Sequence, residues 1–229
     1  MKVVIATPTL TRPFPQYLES LEASISALDS AGIEHKTVFR IGSAYISHAR
    51  AFMLRQAMDT DADAVVFIDH DLEWTPECLV SLIQAKGDVI AGTYRFKEDK
   101  EEYMASLFTD GDGKPISRED GAIKAYTIPA GFMKITREGV RKFMRAYPEL
   151  VFGDVEKPSI DLFNHGAHKG LWWGEDYAFA RRWVECGEEI WILPDLNLTH
   201  HSKDSAYPGN FHQFLLKQPG GSLNGNRNV

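Results

Sequence analysis

The chain has 229 residues, of which 44% are hydrophobic and 25% are charged, and its formal net charge is −7. This length and balance are typical of one globular α/β domain that buries its own core. The net negative charge argues against a module that binds nucleic acid or an anionic membrane with its whole surface, although a local basic groove stays compatible with it. Cys78 and Cys186 have neither zinc-ligand nor disulfide-framework spacing, which favours a reducing, cytoplasmic setting.

Apolar runs of strand length alternate with segments of helical periodicity, which predicts an α/β fold with a mainly parallel sheet and helices on both faces. In the first half, the predicted strands are 2–6, 35–41, 64–68 and 89–96, and the predicted helices are 14–30, 47–58 and 75–86. In the second half, the predicted strands are 132–135 and 189–193, and the predicted helices are 137–147 and 175–187. We expect residues 1–217 to form a single domain, followed by a disordered tail at 218–229 that is rich in Gly and Asn.

Two segments interrupt the alternation. Residues 97–124 are charged and contain the turn sequence Asp110-Gly111-Asp112-Gly113, which lacks the later Glu of a calcium loop and therefore predicts a hairpin turn. Residues 151–170 are polar and without clear periodicity, which is typical of a segment that lies over a site.

The strongest chemical signal is Asp69-His70-Asp71, which directly follows the most apolar predicted strand. Open α/β sheets bind ligands at the carboxyl ends of their strands. Two carboxylates one residue apart can converge on a hard divalent cation, and such a cation can bridge two phosphates.

Two later motifs carry further candidate groups. Glu175 and Asp176 open a predicted helix, where they either stabilise the helix dipole or place a carboxylate beside substrate as a general base. His200 and His201 follow a predicted strand, where they either have a structural role or complete a metal site begun by the aspartates.

The order of these motifs resembles that of GT-A glycosyltransferases, especially the family 2-like enzymes common in bacteria and phages. The resemblance extends from the first strand to the late histidine. The matching elements, in chain order, are Pro8, Ala49-Arg50, Asp69-His70-Asp71, Pro76, Ala91-Gly92-Thr93-Tyr94, Gly131-Phe132-Met133, Gly174-Glu175-Asp176 and His200.

The resemblance implies a GT-A (Rossmann-like) fold and a nucleotide-sugar donor, with a UDP-sugar expected. Asp69 would hold the donor ribose or the metal, and Asp71 and His200 would ligate Mn²⁺ or Mg²⁺, with His201 as the alternative ligand. The implied donor-binding residues are Thr7, Pro8, Arg50, Asp69 and His70. The family often has Asn after this Arg whereas this chain has Ala51, which weakens the expectation of uracil recognition there.

The same resemblance implies that Asp176 is the base that deprotonates an acceptor hydroxyl, with Glu175 assisting acceptor binding. A single base acting opposite the leaving group would invert the anomeric centre. Tyr94, Trp172 and Trp173 are the candidate acceptor-binding residues, because aromatic rings stack on both sugar faces and nucleobases.

The acceptor stays open between a glycan, a lipid-linked sugar, a protein and a modified pyrimidine in phage DNA; in that last case the enzyme would act in the host cytoplasm. The basic residues that would contact DNA phosphates are Lys97, Lys100, Lys114, Arg118 and Lys124. Two other classes are a nucleotide-sugar binder without catalysis and a nucleotidyltransferase. The second is disfavoured because residues 7–12 contain no Gly for a phosphate loop.

Overall fold

The computed structural model describes residues 1–218, so the predicted tail lies outside the described residues except for Gln218. The strands are β1 Lys2–Thr9, β2 Glu34–Ile41, β3 Ala64–Ile68, β4 Leu72–Glu73, β5 Val89–Ala91, β6 Ser106–Leu107, β7 Ile123–Thr127, β8 Phe132–Thr136, β9 Val151–Gly153, β10 Pro158–Ile160, β11 Gly166–His168, β12 Leu171–Trp173, β13 Ile190–Ile192, β14 Thr199–His201 and β15 Ala206–Pro208. The α-helices are α1 Pro15–Ser30, α2 Ile46–Met58, α3 Pro76–Gln84, α4 Arg137–Ala146, α5 Glu175–Glu185 and α6 Phe211–Lys217, and a short 3₁₀ helix covers Pro148–Leu150.

The central sheet has eight strands in the order β2-β1-β3-β8-β5-β13-β7-β6. Parallel pairing joins β1 to β2 and β3, and β13 to β5. Strand β8 runs antiparallel between β3 and β5, and β7 runs antiparallel between β13 and β6. Six of the eight strands therefore share one direction, and the mixed α/β fold with a mainly parallel sheet is confirmed.

The sheet separates two hydrophobic cores because neighbouring side chains along a strand point to opposite faces. In β3, which is buried at every residue, Val65 and Phe67 pack with α2, α4 and α5, whereas Val66 and Ile68 pack with α1 and α3. Helices thus cover both faces, as the continuous apolar run of a central strand predicts.

Three smaller sheets lie outside the central one, and one of them positions a histidine pair. Strand β14 lies between β4 and β15, so that His200 is paired with Leu72 directly after the Asp69-His70-Asp71 turn. The predicted strand 89–96 is shorter than expected, because the chain leaves the sheet after Ala91 and pairs locally with residues 102–104. The segment 151–170 holds one short strand pair, β9 and β10, and the first strand of a second pair, β11. Within residues 1–218, no helix is long and apolar enough to cross a membrane.

Candidate functional site

Four carboxylates gather at the carboxyl edge of the central sheet. Asp69 and Asp71 follow the end of β3, and Glu175 and Asp176 form the first turn of α5. We call these four residues the acidic cluster. Parallel strands end at one edge, and this edge is where open α/β sheets bind ligands.

The buried guanidinium of Arg50 joins the two halves of the acidic cluster. Its side chain, on α2, is 1% exposed; one terminal nitrogen lies 2.9 Å from Asp69 Oδ1 and the other lies 3.1 Å from Glu175 Oε1. Burial lowers the pKa of Arg50, but the charges of Asp69, Glu175 and Asp176 raise it, and the net direction is upward. The guanidinium is thus enclosed and paired with two carboxylates, whereas the predicted contact with a nucleotide base needs an accessible face.

The Asp69 carboxylate is enclosed by Tyr94 and Gly131. The Tyr94 hydroxyl donates to Asp69 Oδ2 at 3.3 Å, and the backbone amide of Asp69 donates to the carbonyl of Gly131 at 2.8 Å. A Cβ at position 131 would lie 2.1 Å from the Tyr94 hydroxyl oxygen and 2.4 Å from Asp69 Oδ2. Glycine is therefore required here by space, and β8 supplies this wall of the site.

The second aspartate of the motif faces two cationic or basic groups. Lys97 Nζ lies 2.5 Å from Asp71 Oδ2, and His200 Nε2 lies 3.5 Å from the same oxygen. Burial would raise the pKa of Asp71, but its hydrogen bonds with His200 and Lys97 outweigh burial and hold the pKa well below its usual range. The Asp71 carboxylate is therefore ionised, although its side chain is only 13% exposed.

The ring orientation of His200 follows from its other nitrogen. Nδ1 lies 2.8 Å from the carbonyl oxygen of Arg95, which can only accept, so Nδ1 carries a proton and Nε2 is the atom that faces Asp71. This arrangement, with one ring nitrogen donating to a carbonyl, is typical of metal-ligating histidines. His201 instead pairs with Glu73 at 2.7 Å, which supports a structural role for it.

The metal-binding hypothesis can be tested against this geometry. Within residues 1–218, no three His, Cys, Asp or Glu side chains converge as they would around a bound ion. Asp71 Oδ2 and His200 Nε2 nonetheless face one another at 3.5 Å, and a carboxylate oxygen and an imidazole nitrogen are both ligands of divalent cations such as Mn²⁺. The donor set fits a divalent cation, provided that Lys97 moves away from Asp71. Asp69, the third predicted ligand, is turned towards Arg50 and Tyr94.

Asp176 has an unusual environment for a carboxylate at a helix start. The amide of Tyr177 donates to its Oδ1 at 3.0 Å, as a first-turn carboxylate allows. Burial and the charges of Glu175 and Asp69 nevertheless raise the pKa of Asp176 to about 6, against the opposing effect of Arg50. Burial therefore outweighs the helix start, and the pKa of Asp176 lies just below neutrality, where a general base is most effective.

The aromatic residues predicted to bind an acceptor differ in their exposure. Tyr94 is 3% exposed and its ring packs 4.9 Å from that of His200, so it supports the acidic cluster and does not face open space. Trp172 is 60% exposed on the β11–β12 hairpin that leads directly into Glu175. Trp173, the next residue, is partly buried beneath the guanidinium of Arg181, 5.3 Å from its ring centre. Of these three candidates, Trp172 is the exposed one, and its ring centre lies 6.2 Å from that of His165.

The remaining predicted donor residues lie around the end of β1. Thr7 and Pro8 are buried within that strand, and the Thr7 hydroxyl is 2.5 Å from the Tyr17 hydroxyl. A nucleotide contact by the Thr7 side chain, as predicted, would require this hydrogen bond to break. His70 is partly buried, with its ring 5.8 Å from that of Phe14.

The basic residues of segment 97–124 do not form one surface. Lys97 lies at the carboxyl edge of the sheet, on Asp71. Arg118 pairs with Asp120, and Lys124 pairs with Glu189. Because Glu189 directly precedes β13, the Lys124 ammonium lies at the amino end of that strand. This separation does not favour the expected shared contact of these residues with a DNA backbone.

Comparison with known proteins bears on the fold alone. No protein-family model matches the sequence, and no curated protein matches it. The chain is similar to a structure of GalNAc-T7 with UDP, GalNAc and Mn²⁺, with 10% identity and a TM-score of 0.51 over 86% of this chain and 43% of that one. The chain thus spans less than half of the length of GalNAc-T7.

Two weaker likenesses accompany it. A Drosophila galactosyltransferase 7 mutant in complex with manganese, UDP-Gal and xylobiose has 12% identity and a TM-score of 0.45, over 94% of this chain and 75% of that one. An inositol-1-phosphate CTP transferase from T. maritima has 10% identity and a TM-score of 0.43, over 86% and 88% of the two chains. The fold likeness to GalNAc-T7 agrees with the GT-A (Rossmann-like) fold that the sequence resemblance implies.

Proposed function

We propose that the chain is a metal-dependent, inverting glycosyltransferase that moves a sugar from a nucleoside-diphosphate sugar, with a UDP-sugar preferred, to an acceptor hydroxyl. One observation carries this proposal: the acidic cluster contains both Asp71, which pairs with Lys97 and faces His200, and Asp176, whose pKa is raised to about 6. These are the two kinds of group that the reaction needs, one for a cation and one for a proton.

Asp176 is the residue proposed to accept the acceptor proton. An alcohol is a weak nucleophile at neutral pH, so a base must take its proton as the bond to the sugar forms. With a pKa of about 6, Asp176 is largely ionised at pH 7 yet basic enough to hold that proton. Because no second carboxylate is assigned as a nucleophile, displacement at the anomeric carbon proceeds once and inverts its configuration.

Asp71 and His200 are the residues proposed to hold Mn²⁺ or Mg²⁺, with Asp69 beside them to receive the donor ribose or to complete the ligand set. When bound, such a cation neutralises the negative charge that develops on a departing nucleoside diphosphate. The ion pairs of Arg50 hold Asp69 and Glu175 in place. The exposed ring of Trp172 is the proposed stacking face for the acceptor. A glycan and a modified pyrimidine both suit that face, and the acceptor remains open between them.

The proposal is tested by measuring UDP binding with and without Mn²⁺ in the native protein and in the Asp71→Asn variant. We expect Mn²⁺ to tighten UDP binding to the native protein, since the diphosphate otherwise approaches the acidic cluster without neutralisation. In Asp71→Asn this gain should vanish and sugar transfer should fall to background. Asp112→Asn, in an exposed turn, is the matched control and should retain both.

Equal UDP affinities with and without Mn²⁺ in the native protein would contradict the metal-dependent reaction. The products separate the competing classes: a glycosyltransferase releases UDP, whereas a nucleotidyltransferase releases pyrophosphate. NMR of the product then gives its anomeric configuration, and retention of the donor configuration would remove the assigned role of Asp176.

A further inference from the structure

The segment from Tyr94 to Lys97 touches all three residues predicted to bind metal. The Tyr94 hydroxyl donates to Asp69, the Arg95 carbonyl accepts from His200, and the Lys97 ammonium pairs with Asp71. This segment leaves β5 and returns through a short local pairing, in which the Phe96 amide donates to the Glu102 carbonyl at 3.1 Å. Its backbone is thus fixed next to the acidic cluster.

The three contacts differ in what they leave open. Arg95 binds the far nitrogen of His200 and leaves Nε2 facing Asp71. Lys97, in contrast, lies directly on Asp71 Oδ2, the oxygen that is also closest to His200. An ammonium and a divalent cation compete for one carboxylate oxygen, because the two positive charges repel each other at contact distance. Lys97 therefore occupies the position that a metal ion would need.

The ammonium of Lys97 can move away from Asp71 without a change in the backbone. Its side chain is 35% exposed, so its flexible stem can carry the ammonium into solvent or towards a ligand while the backbone stays fixed. The acidic cluster provides a reason for the pairing, since its four carboxylates face only two permanent cations in the described residues, Arg50 and Lys97. Lys97 reduces the repulsion until a stronger cation arrives.

We propose that Lys97 is an exchangeable counter-ion of the proposed metal site: it neutralises Asp71 before metal binds, yields that carboxylate to the divalent cation, and then contacts the nucleoside diphosphate. This inference rests on the proposed function. It assigns Lys97 two opposite effects, one that weakens metal binding and one that strengthens diphosphate binding. A merely structural lysine in this loop would produce neither.

The test uses Lys97→Met, which keeps the length of the side chain and removes its charge. Titration of the protein with Mn²⁺ alone, followed by electron paramagnetic resonance, should show metal binding about two- to fivefold tighter than in the native protein. Calorimetry with UDP at saturating Mn²⁺ should show binding about two- to fivefold weaker. Lys97→Arg keeps the charge and should restore both affinities towards the native values.

Lys100→Met is the matched control, because Lys100 lies in the same loop, is 76% exposed and pairs with Glu102 and not with Asp71. It should change neither affinity. Mn²⁺ binding that is unchanged or weaker in Lys97→Met would overturn the inference while leaving the proposed function intact, as long as Asp71→Asn loses Mn²⁺ binding. Native Mn²⁺ binding in Asp71→Asn would instead overturn the proposed function itself.

Discussion

The two edges of the central sheet both carry clusters of charged side chains, but only the carboxyl edge contains a carboxylate without an ion pair among the described contacts. At the amino edge, Lys142 Nζ lies 2.9 Å from Asp88 and 2.8 Å from Glu188, and Lys124 lies 2.7 Å from Glu189. We call these five residues the amino-edge network. The three carboxylates of this network line a cleft of about 400 Å³, which is also lined by Arg118 and Trp191, and the Arg118 guanidinium lies 4.5 Å over the Trp191 ring.

The comparison teaches that a carboxylate without a cationic partner distinguishes the candidate active site. Each carboxylate of the amino-edge network has a lysine within ion-pair distance, and the raised pKa of Lys142, caused first by its hydrogen bonds with Asp88 and Glu188, reflects that pairing. In the acidic cluster, Arg50 serves two carboxylates and Asp176 has no ion pair among the described contacts. A buried carboxylate without an ion pair is costly to the fold and is therefore expected where a proton is handled.

The largest effect should come from Asp176→Asn, which keeps the shape of the side chain and removes its capacity as a base. Turnover should fall by roughly 10²–10⁴-fold while the affinity for UDP changes little, because the residue acts on the acceptor proton. Single-turnover kinetics and calorimetry give the two quantities. If Asp176→Asn keeps more than about a tenth of native turnover, the general base must be a residue other than Asp176.

The pH dependence sharpens the same prediction. Turnover of the native protein should decline as the pH falls through about 6, where Asp176 takes up a proton. Since its pKa is raised above the ordinary value of 3.8, the folded protein binds more protons than the unfolded chain between pH 3.8 and 6, and the charged Asp176 costs stability at neutral pH. Asp176→Asn should therefore unfold at the same temperature as the native protein or higher at pH 7, which separates lost catalysis from lost folding.

A smaller effect, on stability first, is expected for Arg50→Met. Removal of a buried guanidinium leaves Asp69 and Glu175 to repel each other without a counter-ion. We expect the free energy of unfolding to fall by roughly 3 kcal/mol, the low end for broken buried pairs, because both carboxylates are about a quarter exposed. Denaturant unfolding measures this change. Arg50→Lys should recover only part of it, since one ammonium cannot span both partners.

The smallest effect is expected at the amino edge. Asp88→Asn weakens one arm of the amino-edge network and should lower the free energy of unfolding by about 1 kcal/mol, because Asp88 and Lys142 are partly exposed. Its sugar-transfer activity should stay native. A loss of transfer in Asp88→Asn comparable to that in Asp176→Asn would mean that the two edges are not functionally distinct.

Much of the sheet could be predicted from the sequence because the relevant signals are local. The run Ala64–Ile68 is apolar at every position and is a strand with those bounds. The predicted helix that starts with Glu175 and Asp176 begins at Glu175, after Gly174. The reversed direction of β8 between β3 and β5 could not be predicted, since pairing over such separations depends on packing and leaves no periodic signal.

The candidate site could be predicted by residue type but not by pairing. Asp69, Asp71, Asp176 and His200 do gather at one edge, whereas the assignment of Arg50 to a nucleotide base missed its burial between two carboxylates. Lys97 carries no local signal of its contact with Asp71, which lies 26 residues earlier. Ion pairs of this kind depend on where a loop returns in space, and the sequence alone does not give that.

The reversed strand β8 also has a consequence for the order in which the chain can fold. Until residues 132–136 are available, β3 and β5 have no shared neighbour, and each presents an open edge of unpaired backbone groups. Within the first 131 residues, β1 can pair with β2 and β3, and β6 can pair with β7, whereas both sheet neighbours of β5 come later in the chain. The insertion of β8 then joins β5 to β3. The carbonyl of Gly131, which receives the Asp69 amide, arrives with that strand. The joining of β3 to β5 and the completion of this wall of the candidate site thus occur together. A nascent chain stalled before that point would expose its strand edges to aggregation.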